Sequence, residues 1–137
     1  HAMMVRAERM GQAVVIRLDG RMTVEAGSGW VAMAILAAGT AGARHVLCDC
    51  SGVRALDCTG IGHLIDIRRF AHGMRRTFAL ASVGRRPRRM LEMAGLVHVL
   101  RVFSDCQAAA AALGLRDPAP RCTMPPWFAS PHAARSC

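Results

Sequence analysis

Thr59 is the residue in this sequence whose side chain is best placed to undergo a chemical change. Asp57 is of a type that favours helix N-caps, so Thr59 falls in a first helical turn, beside backbone N–H groups without intrahelical partners. Those groups and the positive end of the helix dipole would hold a phosphate attached to the hydroxyl. Asp57, and any acidic surface docked there, would be repelled by the added charge. The pattern fits a charge-controlled binding switch, although a threonine in a first turn is usually just a capping residue.

Two glycines after the threonine leave room on the same surface. Gly60 and Gly62 carry no side chains, so a large partner can approach the backbone closely at this point. His63, which follows them, is predicted to lie on the rim of this surface rather than to act as a general base. The segment therefore predicts a site for docking a protein.

Residues suited to catalysis or metal binding are few. The candidate catalytic side chains near the predicted site are Asp49, Ser51, Asp57 and His63. The chain has no Gly-x-Ser-x-Gly elbow, P-loop or dinucleotide fingerprint. Its six cysteines lack the Cys-x-x-Cys pairs of zinc sites, and Cys48 and Cys50 fit one face of a strand as small hydrophobes. We expect no intrinsic catalysis, no cofactor and no metal.

The positive charge of the chain comes entirely from arginine. There are 18 arginines and no lysine against 9 acidic residues, for a net charge of +9. Eight of the arginines lie in four pairs between Arg68 and Arg89, where they fit an acidic protein partner, nucleic acid or a solvated face. Phe70 and Phe78 are the only aromatic residues among the pairs, and both are predicted core residues. We therefore expect no nucleic-acid partner.

The length and composition predict one domain followed by a different kind of segment. Residues 4–114 alternate apolar runs with glycines, whereas residues 115–137 hold five prolines and show no apolar period. The second segment fits either a mobile tail or a docking peptide that uses Trp127 and Phe128. The longest apolar run, residues 30–38, is far shorter than the ~20 residues of a membrane span. With no leader sequence recognised, we expect a cytoplasmic protein without membrane insertion, reduced in its cysteines, and monomeric or weakly dimeric.

Apolar patterns predict the strands that position the Thr59 segment. Alternating or continuous apolar residues indicate strands at 5–9, 14–18, 44–49, 77–81 and 97–102. A turn at residues 10–12 would join the first two as a hairpin, and Asp19-Gly20 would end the second.

Helices are predicted between these strands. Thr23 is a possible N-cap for the first helix, which would end at Gly39, and the second covers residues 60–71. Pro87 suits the first position of a third helix. Ser104 or Asp105 would cap a fourth, alanine-rich helix.

A hairpin followed by alternating helices and strands is typical of an α/β fold with a small mixed sheet and helices packed against it. Ligand and partner sites in such sheets collect at the carboxyl ends of the strands. The segment after strand 44–49, residues 50–62, is therefore where we expect the functional residues.

The same segment resembles a known family. Residues 52–62, Gly-Val-Arg-Ala-Leu-Asp-Cys-Thr-Gly-Ile-Gly, are similar to the signature of STAS domains, the fold of bacterial anti-sigma factor antagonists. Leu18-Asp19-Gly20, Val83-Gly84 with residues 87–91, and Phe103-Ser104-Asp105 resemble other parts of that family in the same order. The resemblance covers about residues 5–114.

The resemblance implies a function. Such antagonists bind an anti-sigma factor that is also a serine/threonine kinase, and phosphorylation of the hydroxyl residue before the glycine ends the binding. Thr59 corresponds to that acceptor. The implied partner-binding residues are Asp19, Asp57, Cys58, Thr59, Gly60, Ile61, Gly62 and His63.

Some residues depart from the family pattern. Cys58 stands where the family usually has serine, which leaves Thr59 as the acceptor. Thr23 replaces a frequent aspartate and Arg21 a common glutamate, so the face near the switch has less negative charge. The alternative function is a STAS subunit of a lipid-transport or stress-signalling complex that uses the same face without phosphorylation.

Overall fold

A computed structural model describes residues 3–114; the predicted segment 115–137 lies outside the described residues. The strands are β1 (Met4–Met10), β2 (Ala13–Met22), β3 (His45–Leu56), β4 (Thr77–Ala81) and β5 (Val102–Phe103). The helices are α1 (Gly29–Ala38), α2 (Cys58–Gly73), α3 (Arg85–Met93) and α4 (Cys106–Ala112). A short 3-10 turn, Val24–Ala26, precedes α1.

The five strands form one mixed sheet in the order β1-β2-β3-β4-β5. β1 is antiparallel to β2, and Gly11 in their turn has φ 62°, which glycine adopts without a Cβ clash. β2 to β5 are parallel to one another, each joined to the next through a helix. The predicted α/β class and the predicted hairpin are confirmed.

The sheet separates two apolar layers. Helices α1, α2 and α3 cover one face, and the strand residues buried beneath them include Val14, Ile16, Val46, Cys48, Cys50 and Phe78. On the other face, Ala109 of α4 packs with Leu47 and Ala79. Cys48 and Cys50 thus share one face of β3, as their spacing predicts.

The two central strands are longer than the sequence predicts. β2 passes Asp19 and Gly20 and ends at Met22, and β3 covers residues 45–56 rather than 44–49. Gly20, with φ 132°, accommodates a register shift between β2 and β3, and pairing then continues to the ends of both strands. Residues 50–56, which the sequence analysis places after the strand rather than within it, are therefore held extended by cross-strand pairing.

Thr23 does not cap α1, so this prediction is wrong. It begins the 3-10 turn with an extended backbone and without a capping bond from its side chain. Gly27, with φ 73°, ends that turn, and α1 starts at Gly29 after the N-cap residue Ser28. The predicted end of α1 at Gly39 is confirmed.

Two predictions in the second half of the domain need correction and one is confirmed. Pro87 is the third residue of α3 rather than the first, because the helix begins at Arg85. The strand predicted at 97–102 shrinks to Val102–Phe103, because a turn ending at Arg101, with φ 52°, occupies the preceding residues. Asp105, one of the two predicted caps, accepts a backbone N–H bond at 2.7 Å in the first turn of α4.

A buried ionic network crosses the sheet on the face that α4 shares. Arg17 on β2 binds Glu8 on β1 at 3.0 Å and also donates to Asp49 on β3. Glu8 and Asp49 are both buried, and Glu8 Oε2 has no hydrogen-bond partner among residues 3–114. Burial raises the pKa of Glu8 despite the opposing effect of Arg17. The single guanidinium group of Arg17 therefore partly neutralises two buried carboxylates.

Gly60 allows α2 to begin directly against the end of β2. A Cβ atom added to Gly60 would lie 2.1 Å from the backbone oxygen of Met22 and 2.8 Å from Leu56 Cδ1. The first of these neighbours is backbone and can move only if the strand moves. The absence of a side chain at Gly60 therefore sets how closely the helix packs on the sheet.

Gly60→Ala should lower the free energy of unfolding by about 2 kcal/mol, because overpacking outweighs the gain in helix propensity. Gly62→Ala is the matched control, since a Cβ there has nothing within 4 Å. The control should be neutral or stabilising by up to ~1 kcal/mol. Urea unfolding of both variants measures the difference, and equal stabilities would contradict the packing role of Gly60.

Arg17→Met should lower the free energy of unfolding by about 3 kcal/mol at pH 7, because it leaves two buried carboxylates without their cation. The loss should shrink as the pH falls, since the pKa of Glu8 is already raised and its protonation removes one charge. Arg54→Met is the control, because both side chains of the Arg54–Asp19 pair are 63% exposed. A loss independent of pH between 7 and 5 would contradict this account.

Candidate functional site

The start of α2 is fixed by the carboxylate of Asp57. Asp57 is the N-cap residue, and its Oδ1 accepts the backbone N–H of Gly60 at 2.9 Å. Its Oδ2 accepts the backbone N–H of Val24 at 2.9 Å, in the turn after β2. One side chain thus ties the first turn of α2 to the chain that leaves the neighbouring strand. The predicted N-cap is confirmed.

Asp57 remains an anion at neutral pH. Desolvation raises its pKa, but the backbone N–H groups of Gly60, Val24 and Thr59 together outweigh this effect and lower the pKa below its usual value. The first turn of α2 therefore carries a permanent negative charge beside any group attached to it.

Thr59 is exposed in the first turn of α2, where the sequence places it. Cys58, the first helical residue, is also exposed and is a free thiol. Thr59 is therefore accessible to solvent, two positions after the N-cap residue Asp57.

The other residues of the predicted docking segment divide between the surface and the core. Gly62 and His63 are half-buried, and the His63 ring meets the Trp30 ring edge to face with centroids 5.7 Å apart. Gly60 and Ile61 are buried. The explanation predicted for Gly60 is therefore corrected: its missing side chain makes room for Met22 of the same chain rather than for a partner.

Asp19 lies apart from the Asp57 bonds. It sits on β2 opposite Gly52 of β3, exposed to solvent. Its carboxylate approaches Arg54 at 3.5 Å, and both side chains are largely exposed. Asp19 therefore offers an accessible negative charge near the ends of the central strands.

The remaining candidate residues do not join the Thr59 site. Asp49 is on the opposite face of the sheet, bound to Arg17, and accepts the backbone N–H of Ser51 at 3.0 Å. Cys48 is buried in the core, where burial raises its pKa to about 12. Within residues 3–114, no group of three potential metal ligands comes together.

Val24 is the residue of this site that the sequence did not reveal. Its backbone N–H binds Asp57, and its side chain is 64% exposed in the turn after β2. Because every residue except proline has a backbone N–H, no sequence pattern marks the one that donates here.

The arginine pairs serve more than one purpose. Arg76 donates to the backbone oxygens of Ala38 and Thr40, at 2.7 and 2.6 Å, and so closes the end of α1. On α3, Arg88 pairs with Glu92 at 3.2 Å. Phe78 is buried, and Phe70 packs against the same core, as predicted.

No helix within residues 3–114 combines the length and apolar character that crossing a bilayer requires.

One family model matches the sequence of this chain. The sequence model of the STAS domain matches residues 4–109. No curated protein matches the sequence.

Solved structures with similar folds include proteins of different kinds. An anti-sigma factor antagonist from Mycobacterium paratuberculosis is 18% identical, with a TM-score of 0.72 over 82% of this chain and 95% of that one. The Bacillus cell fate determinant SpoIIAA in its phosphorylated form is 18% identical, with a TM-score of 0.59 over 82% of this chain and 100% of that one. The murine anion transporter Slc26a9 is 15% identical, with a TM-score of 0.69 over 80% of this chain and 19% of that one.

At these identities the structural similarities show the fold, whereas the family match covers most of the chain. The chain belongs to the STAS domain family.

Proposed function

We propose that this STAS domain is an anti-sigma factor antagonist that binds an anti-sigma factor kinase and is released when Thr59 is phosphorylated. The observation that carries the proposal is the exposed Thr59 hydroxyl in the first turn of α2, beside the ionised Asp57. Anti-sigma factor antagonists among the similar structures support it, and SpoIIAA, which another similar structure names as such an antagonist, is known in a phosphorylated form.

Phosphorylation would change the charge of this surface without disturbing the core. A phosphate carries about −1.5 to −2 charges at pH 7 and would stand beside the carboxylate of Asp57. The residues that anchor α2, Gly60 and Ile61, are buried and do not carry the modified group. The added charge would therefore weaken the binding of a partner that is acidic or packs closely on this surface, while the fold stays intact.

The proposed partner surface consists of the accessible residues at the start of α2 together with Asp19 on β2. Cys58 supplies no hydroxyl, so Thr59 is the acceptor in the first turn of α2. The residues that a partner can reach are Asp19, Cys58, Thr59, Gly62 and His63, and the half-buried Asp57 is held by its two backbone bonds. The protein would act as a binding module without a cofactor in the bacterial cytoplasm.

A second candidate function uses the same surface without phosphorylation. The fold is shared with part of the murine anion transporter Slc26a9, so this fold also occurs within a transport protein. In this case the chain would be a subunit of a lipid-transport or stress-signalling complex. Thr59 would then have no regulatory role.

Incubation of the full chain with the candidate anti-sigma factor kinase of the source organism and Mg-ATP should add one phosphate, detected by intact-mass spectrometry. Thr59→Ala should abolish the gain, because it removes the exposed hydroxyl of α2's first turn. Thr23→Ala is the control, since it removes a hydroxyl before the 3-10 turn, outside α2, and should leave the gain unchanged.

Binding of the same kinase, measured by titration calorimetry, should fall at least tenfold after phosphorylation. A chain that gains no phosphate yet co-purifies with a membrane permease would favour the transport subunit. A phosphate retained in Thr59→Ala would place the acceptor elsewhere and refute the proposal.

Asp57→Ala should lower the free energy of unfolding by about 1–2 kcal/mol at pH 7, because the N–H groups of Gly60 and Val24 lose their acceptor. The folded-state pKa of Asp57 is lowered, so its contribution is present above the ordinary aspartate pKa and is lost as the pH falls through the folded value. The difference from the wild type should therefore shrink below about pH 4.

Asp19→Ala provides the comparison, because its pair with Arg54 is exposed and should contribute less than ~1 kcal/mol. Urea unfolding at pH 7, 5 and 3 measures both variants. If Asp57→Ala were as stable as Asp19→Ala at pH 7, the carboxylate would not be the anchor of α2.

A further inference from the structure

Helix α1 presents an apolar surface to solvent. Its ten residues include no charged side chain and no hydroxyl or amide side chain. The residues on its outward stripe, spaced i, i+3, i+4 and i+7, are Gly29, Ala32, Met33 and Leu36. Met33 is 57% exposed and Leu36 is 74% exposed. A surface helix normally has polar residues on this side, so the stripe is typical of a helix that another surface covers.

The two ends of α1 carry opposite charges. Near its beginning, Glu25 is exposed in the 3-10 turn. At its end, Arg76 donates to the backbone oxygens of Ala38 and Thr40, and Arg9 donates to that of Ala41. A negative group thus precedes the apolar stripe and two guanidinium groups follow it.

We propose that the outward stripe of α1 binds a second copy of this chain, with the two α1 helices antiparallel about a two-fold axis. This arrangement buries Met33 and Leu36 of each copy against the stripe of the other. It also brings Glu25 of one copy toward the Arg9 and Arg76 end of the other. The two helix dipoles are then antiparallel, which is electrostatically favourable. The match of charge at both ends favours a second copy over an unrelated apolar partner.

The dimer is weak. A helix of ten residues is about 15 Å long, and one stripe of that length covers less than the ~800 Å² per partner of a standard interface. The net charge of +9 on each copy opposes association further. We expect a dissociation constant on the order of tens to hundreds of micromolar. The inference does not rest on phosphorylation of Thr59.

Sedimentation equilibrium of the full chain under reducing conditions tests the proposal, because a reductant excludes disulfide-linked dimers. The wild type should dimerise reversibly as its concentration is raised to about 1 mM. Met33→Glu and Leu36→Glu should each raise the dissociation constant at least tenfold, since a charge would be buried in the interface. Met93→Glu is the matched control: it makes the same change at a 76% exposed methionine on α3 and should leave the dimer unchanged.

A second variant tests the charged ends. Glu25→Arg should weaken the dimer several-fold, because it places like charges opposite Arg9 and Arg76 of the other copy. Circular dichroism should show that every variant keeps its fold, as all the substituted side chains are exposed.

Three results would overturn the proposal. A wild type that stays monomeric at 1 mM would leave another protein, or residues 115–137 of the same chain, as the occupant of the stripe. A dimer that persists in Met33→Glu would lie on another surface. Equal weakening by Met93→Glu and Met33→Glu would show a general effect of charge rather than a specific contact.

Discussion

The two backbone bonds accepted by the Asp57 carboxylate are the interaction on which the candidate site depends. One bond closes the first turn of α2 at Gly60, and the other holds Val24 in the turn after β2. Because both acceptors belong to one side chain, the start of the helix and the end of the strand cannot move independently. The first turn of α2, which carries the exposed Thr59, is therefore held in one position. The charge of the Asp57 carboxylate lies in the same turn.

The close packing at Gly60 also restricts where α2 can begin. Gly60 sits against the backbone oxygen of Met22, at the point where β2 and β3 end their pairing. Because β2 and β3 are parallel, their carboxyl ends lie side by side at the same end of the sheet. The exposed Thr59 therefore stands where the ends of β2 and β3 and the start of α2 pack together.

The surface of the domain is divided into regions of different character. The outward stripe of α1 is apolar, α3 carries four arginines, and the start of α2 holds an ionised carboxylate and a hydroxyl. The charged network of Arg17 lies on the other face of the sheet, away from α1 and α2. A protein partner at Thr59 and a second copy at α1 would thus meet surfaces with different chemistry.

Local signals in the sequence determined the features that depend on neighbouring residues. The N-cap at Asp57, the cap at Asp105 and strand β4 follow from side-chain chemistry and apolar runs within a few positions. Only the tertiary structure decided the rest. Residues 50–56 are a strand because β2 pairs with them, Gly60 is buried because Met22 lies above it, and Val24 binds Asp57 because two strand ends meet. Each of these contacts joins residues more than 30 positions apart, and no local pattern encodes such a meeting.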